Sequence, residues 1–203
     1  MSNISPEFKL IADWIAPNSR VLDLGCGDGA LLSHLIERHD ITGYGMEIDA
    51  TKTIAAMNKG LNVIHSDLNR HDITHYFDES SFDYVIMTQA LQVVSRPDEL
   101  LDEMLAIGKQ SIITFPNFGH WRNRAQLMFG GRMPETETLP YHWFDTPNIH
   151  MCTFKDFEKL CAEKGIEVVA RTVVNSEHRS TLSMSIAPNL MGEVALYKIQ
   201  RKK

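Results

Sequence analysis

Apolar residues recur along this chain in two alternating rhythms. Short runs rich in branched and aromatic residues, RVLDL (20–24), ITGYGMEI (41–48), LNVIHS (61–66), FDYVIMT (82–88) and QSIITF (110–115), read as strands. Between them lie runs with helical spacing, ALLSHLIERH (30–39), ATKTIAAMNKG (50–60) and PDELLDEMLAIGK (97–109). A first helix is expected over 5–16, where Phe8, Ile11, Ala12 and Ile15 share a face. Beyond residue 153, FKDFEKLCAEKG (154–165) predicts another helix, and IEVVARTVV (166–174) and GEVALYKIQ (192–200) predict two more strands.

Strands alternating with helices predict an α/β fold, a mostly parallel sheet covered on both faces. The strand runs are apolar at successive positions, as burial under two helical layers demands. No clear helix separates the last two strands, so they are expected to form an antiparallel hairpin at one edge. Pro97, Asp98 and Glu99 suit the first turn of a helix. Gly60, Gly108 and Gly165 sit where left-handed C-caps are expected. The rhythm breaks between 116 and 153. There a helix is expected over roughly 119–129, and the remainder, with Gly130, Gly131, Pro134, Pro140 and Pro147, has no regular period. Loops of that length in a compact domain are often functional.

Composition narrows the classes. The 203 residues suit one domain, 1–203, and 43% hydrophobic with 23% charged residues is a globular balance. A net charge of −6 argues against a broad nucleic-acid surface. Cys26, Cys152 and Cys161 form no CxxC pair, so neither a disulfide framework nor a cysteine zinc site is expected. Acidic and polar residues early in the chain give no secretory pattern, and no run approaches the ~18 apolar residues of a membrane span. A cytoplasmic location is the expectation.

The sharpest chemical signal is VLDLGCGDGALL (21–32), a strand, a glycine-rich turn and a helix start. Glycine lets a ligand approach the backbone, and a helix N-terminus offers free N–H groups. The GKS/T ending of a P-loop is missing. Gly25, Gly27 and Ala30 fit a dinucleotide turn, and Glu47, 20 residues after Gly27, could hold a ribose. Asp23 and Asp28 flank the turn, however, and would repel a pyrophosphate. S-adenosylmethionine carries a sulfonium and an ammonium and no phosphate, so charge sign favours it. A purely structural glycine turn is the plain alternative, as are caps at Asp67 and Asp49.

LDLGCGDG resembles motif I of the class I S-adenosylmethionine-dependent methyltransferases, and GYGMEID (43–49), HSDLN (65–69) and SFDYVIMTQAL (81–91) resemble the segments that follow it. The resemblance implies a Rossmann-like seven-stranded fold. It also implies a pocket for S-adenosylmethionine or S-adenosylhomocysteine lined by Asp23, Gly25, Cys26, Gly27, Asp28, Glu47, Ile48, Asp67, Leu68 and Gln89. FPNFGHWRNRAQLMFGGRMP (115–134) and LPYHWFDTPNIHMCT (139–153) are similar to the methionine biosynthesis MetW family, over roughly residues 8–198. That resemblance implies a companion of a homoserine O-acyltransferase, MetX. The alternative is a free-standing methyltransferase acting on a small molecule.

The 116–153 segment is expected to be a lid. Its candidate bases are His120, Tyr141, His142 and His150, and their spacing gives no metal pattern. Trp121, Arg122, Arg124, Trp143, Asp145 and Asn148 are candidates for a partner or substrate surface.

Overall fold

The computed structural model describes residues 6–70, 73–175, 184 and 186–202. Seven strands form one sheet: β1 (Arg20–Leu24), β2 (Thr42–Glu47), β3 (Asn62–His65), β4 (Phe82–Thr88), β5 (Gly108–Pro116), β6 (Ile166–Val174) and β7 (Val194–Arg201), in the order β3-β2-β1-β4-β5-β7-β6. The first five run parallel, while β7 is antiparallel to both β5 and β6. This is the sheet that the alternation predicts, with its antiparallel pair at one edge.

The helices are α1 (Pro6–Ala12), α2 (Ala30–His39), α3 (Ala50–Asn58), α4 (Ile73–Tyr76), α5 (Pro97–Ile107), α6 (Trp121–Gly130), α7 (Phe154–Glu163) and α8 (Pro188–Met191). Successive strand residues feed opposite faces of the sheet. Leu22, Val85, Ile113 and Tyr197 belong to one buried cluster, and their neighbours Val21, Ile86, Ile112 and Leu196 to the other. That alternation explains why the strand runs are apolar throughout. Chain order reverses between β1 and β4, which opens a crevice at the carboxyl ends of the strands.

Two expectations need correction. The first helix ends at Ala12 rather than 16, and Ser5 lies outside the described residues. After Ala12 the chain tightens into shorter turns, with Trp14 N–H on Ile11 O and Ile15 N–H on Ala12 O. Pro17 follows, and a proline disfavours helix in the residue before it. Gly108 is no left-handed cap: its φ is −118° and it opens β5. Glycine is required there by packing, since a Cβ would stand 2.5 Å from Val85 Cγ2. Gly60 and Gly165 do take positive φ, +81° and +64°.

The segment between β5 and α7 carries α6 and a bridge between Thr136 and Leu139. Phe118 N–H donates to Cys152 O at 2.9 Å, closing its base. Asn117 knots the same base: its Nδ2 donates to Asn189 O and Gly192 O, and its Oδ1 accepts from Gly119 N–H. The segment is therefore tied down despite its lack of period. Among the described residues, no helix is long and apolar enough to cross a membrane.

Candidate functional site

The glycine turn leaves β1 at the crevice and enters α2. Gly25, Gly27 and Gly29 all take left-handed φ, +73°, +57° and +76°. Gly29 is filled space, because a Cβ would overlap Leu61 Cδ1 at 2.1 Å. Gly27 is open, with nothing within 4 Å of where a Cβ would stand. The turn is held by β2: Gly25 N–H and Cys26 N–H donate to Met46 O at 2.8 and 3.1 Å.

Glu47, the last residue of β2, completes that hold. Its Oε2 accepts from Gly27 N–H at 2.8 Å, and its Oε1 from Ile48 N–H at 3.0 Å and Asp49 N–H at 2.9 Å. The Gly27 amide that a phosphate would need is thus already taken by a carboxylate. Asp23, on β1, is buried, and its Oδ1 has no hydrogen-bond partner among the described residues. Burial first, then the charge of Glu47, pushes its carboxyl up to about 8. The strand that feeds the open glycine turn thus carries a buried carboxyl without a partner for one of its oxygens.

The other predicted cofactor residues divide. Asp28 is exposed and ion-paired with Lys59 at 2.7 Å, which holds its carboxyl below the usual range. Its charge is offset, so the repulsion of a phosphate expected from Asp28 rests on Glu47 instead. The Cys26 side chain is buried in the core and its thiol is pushed up to about 12, mainly by burial, so only its backbone is available. Ile48 is 58% exposed. Asp67 Oδ1 accepts from Asn69 N–H and so caps the short turn that Leu68 begins. Asp49 caps α3 through Thr51 and Lys52. Gln89, just past β4, sits at φ +49°, a strained value for a non-glycine residue. Its N–H donates to Thr114 O at 2.9 Å.

The insertion scatters its candidates. His120 is buried, 3.8 Å from Glu193 at Nε2, and burial lowers its pKa. His142 is exposed and paired with Glu135 at 2.9 Å, which raises its pKa. His150 Nε2 lies 3.2 Å from Ser95 O. Arg122 lies 5.6 Å from the ring centre of Trp121. The Arg124 Nε–H donates to its own helix entry, Gly119 O, at 2.6 Å. Asp145 lies in an exposed turn closed by its N–H on His142 O. Trp143 is 74% exposed and Tyr141 49%, and Tyr141 and Asn148 line an open cleft under the insertion. Among the described residues, no group of three or more His, Cys, Asp or Glu is arranged to hold a metal ion.

The profile of the family described as "Methionine biosynthesis protein MetW" matches residues 5–199 of this sequence. The chain belongs to the MetW family. A MetW-family relative from Rhodopirellula baltica, the "Bifunctional methionine biosynthesis protein MetXA/MetW", is 32% identical over 201 residues. That match covers 95% of this chain but only 32% of the relative, so the chain spans about a third of that protein. Among solved structures, an S-adenosylmethionine-dependent methyltransferase from Mesorhizobium loti superposes with a TM-score of 0.70 at 16% identity, covering 97% of this chain and 98% of the other. The cyclase SpnF superposes at 0.68, with 16% identity and coverage of 97% and 80%. These likenesses establish the Rossmann-like class I methyltransferase fold for this MetW-family chain. A cyclase among them shows that the fold alone does not name a reaction.

Some residues at the MetW crevice escape sequence reasoning. Glu7 of α1 is buried, and its carboxylate accepts from Thr114 Oγ1 at 2.7 Å and from Gln89 Nε2 at 3.2 Å. A buried acid at the end of β4 and β5 is thereby supplied by the first helix, more than 80 positions away in sequence. The only local trace was an acid on an otherwise apolar helical face. Gln92 and Glu137, which line the same cleft, carried no motif at all.

Proposed function

We propose that this chain binds S-adenosylmethionine, or its product S-adenosylhomocysteine, at the carboxyl edge of β1, β2 and β4, and acts as companion or regulator of a homoserine O-acyltransferase, MetX. The cofactor half of this reading rests on two features of the glycine turn, the buried, unpartnered Asp23 Oδ1 on the strand that feeds it and the open backbone of Gly27 four positions later. A sulfonium–ammonium ligand suits that pair, and Glu47, with three of its roughly four acceptor positions filled, keeps capacity for a ribose hydroxyl. The whole of 1–203 is read as one methyltransferase-like domain, with 116–153 as its lid.

The observation that carries the partner half is the relative from Rhodopirellula baltica, whose single chain is described as both MetXA and MetW. Two functions joined in one chain have a simple counterpart in two chains that associate. The exposed side chains of Met128, Phe129, Trp143 and Phe144 on the insertion support this reading, since large apolar groups left in water are available to a protein partner. S-adenosylmethionine is made from methionine, so its binding could report pathway output. It would alter the acyltransferase only if the two states of the complex bind it with different affinity.

The test is co-expression with the homoserine O-acyltransferase, followed by co-purification and acyltransferase assay with and without S-adenosylmethionine. Copurification with raised activity is expected. Failure of both removes the companion reading. Activity indifferent to saturating cofactor removes the sensing idea only. A second reading, a small-molecule methyltransferase, is favoured by the cavity that Gln89 shares with the insertion. Turnover of S-adenosylmethionine on a metabolite in the absence of the partner would establish it.

A further inference from the structure

Two residues expected at the cofactor crevice are joined by hydrogen bonds to the insertion. Gln89 and Asp67 stand just past the carboxyl ends of β4 and β3, the strands that flank β1 and β2. The turn after β4 packs on the glycine turn, where a Cβ on Gly25 would stand 3.5 Å from Ala90 Cβ. The residues from 89 to 96 then connect β4 to α5, and two links to the insertion pass through them.

The first link starts at Gln89. Its carbonyl oxygen accepts from Gln92 Nε2 at 2.8 Å, and the Gln92 carbonyl oxygen accepts from Ile149 N–H at 2.9 Å and His150 N–H at 3.0 Å. The second starts at Asp67. Its Oδ1 accepts from Asn69 Nδ2 at 3.0 Å, Asn69 Oδ1 accepts from Ser95 N–H at 2.7 Å, and Ser95 O accepts from His150 Nε2 at 3.2 Å. Both links reach the same stretch of the insertion. From there the bonding continues backwards along the chain: Asn148 N–H donates to Thr146 Oγ1 at 3.1 Å, and Thr146 N–H to His142 O at 3.1 Å. The exposed Trp143 and Phe144 belong to that loop.

The connection carries two unfavourable features three positions apart. Gln89 has a φ of +49°, a left-handed value that a non-glycine residue adopts at a cost. Gln92 Oε1 is buried with no hydrogen-bond partner among the described residues. Its amide cannot flip to relieve this, because Nε2 faces a carbonyl oxygen, which can only accept. Shut off from water, that oxygen gains a donor only when the protein around it rearranges. Backbone strain and orphaned buried groups are features of ligand clamps and switch segments.

We propose that the 89–96 connection reports occupancy of the crevice to the insertion, with Gln92 and Asn69 as the positioning residues that carry the two links. The inference rests on the reading of the crevice as an S-adenosylmethionine site, and it supplies the regulation of that site. A ligand seated against Gln89 and Asp67 favours one arrangement of the connection, and the loop bearing Trp143 follows. The coupling is reciprocal by linkage, so a protein that engages the insertion changes cofactor affinity by the same factor.

The test is amide hydrogen exchange by NMR on the full chain, with and without saturating S-adenosylhomocysteine. The Ile149 and His150 amides report the links, and the β6–β7 amides are the reference for general stabilisation. Ile149 and His150 are expected to slow at least about fivefold more than the reference, the lower end of the usual range of coupling between sites. Asn69→Ala and Gln92→Leu are each expected to reduce that extra slowing at saturating ligand. Asn69 is exposed, so its variant decides the matter even where Gln92→Leu does not fold. The proposal is overturned if the ligand binds and the two amides slow no more than the reference, or if Asn69→Ala leaves the extra slowing unchanged. Absence of S-adenosylhomocysteine binding by calorimetry would remove the cofactor reading and this inference with it, whereas binding without extra slowing removes the inference alone.

Discussion

Glu47 Oε2 accepts a 2.8 Å hydrogen bond from the Gly27 amide, so the acid that ends β2 braces the turn that follows β1. The same carboxylate also receives two amides of its own chain, from Ile48 and Asp49. Glu47 is therefore a structural part of the glycine turn that is proposed to hold the ligand.

Removing that brace should cost folding as well as binding. Glu47→Ala leaves three partly buried backbone donors without their acceptor, and a donor orphaned away from water costs roughly 1–3 kcal/mol. We expect a lower melting temperature for the ligand-free protein, together with weaker S-adenosylmethionine binding by calorimetry. Unchanged melting with weakened binding would mean that water replaces the carboxylate, and that Glu47 serves the ligand alone.

Asp23 predicts a pH dependence. Its folded pKa is pushed up to about 8 from an ordinary 3.8, so between these values the folded chain holds a proton that the unfolded chain releases. The stability contribution is complete below the lower value and declines as pH rises, by at most about 1.4 kcal/mol per pH unit, until pH passes the upper one. Urea melts across that window should show the decline in the wild type and a flatter profile in Asp23→Asn. A cationic ligand should expel the proton, giving calorimetric enthalpies that vary with the buffer.

Gly27 and Gly29 should fail in different ways. A side chain at Gly29 would collide with Leu61, so Gly29→Val should impair folding itself. A side chain at Gly27 meets open space, although its φ of +57° adds strain of order 1–2 kcal/mol. Gly27→Val should fold, melt somewhat lower and lose S-adenosylmethionine binding. If Gly27→Val binds the cofactor normally, the ligand does not lie against the turn.

The exposed aromatics of the insertion separate partner from cofactor. Phe129 is 82% exposed and Trp143 74%, so replacing both by serine should leave the melting temperature within about 4 °C, since exposed sites away from special features change stability by only about 0.5 kcal/mol each. Copurification with the acyltransferase should fall about tenfold or more if both act as interface anchors. Cofactor affinity, measured alongside, should not move. Retained copurification would place the interface elsewhere on the chain.

The legible features were local ones. The period of apolar residues announced β1 to β7, because a strand or helix buries its faces through residues that are neighbours in sequence. The turn at Gly25 to Gly29 was legible because positive φ is tolerated chiefly by glycine. Gly108 misled for a related reason: a glycine at a helix end has two possible causes, and contact with Val85, 23 positions earlier, decided between them.

The sequence by itself determined the alternating α/β plan, the glycine cradle at the crevice and membership of the MetW family. Only the tertiary structure decided what the polar side chains do. It paired Asp28 with Lys59, committed Glu47 to the backbone of its own cradle and buried Asp23 without a partner. It also brought Glu7 to Gln89 and set Gln92 and Glu137 around one cavity. The physical reason is range. Backbone periodicity and turn conformation are set by adjacent residues, whereas a charge or amide is defined by whatever the fold places within about 3 Å of it, at any distance along the chain.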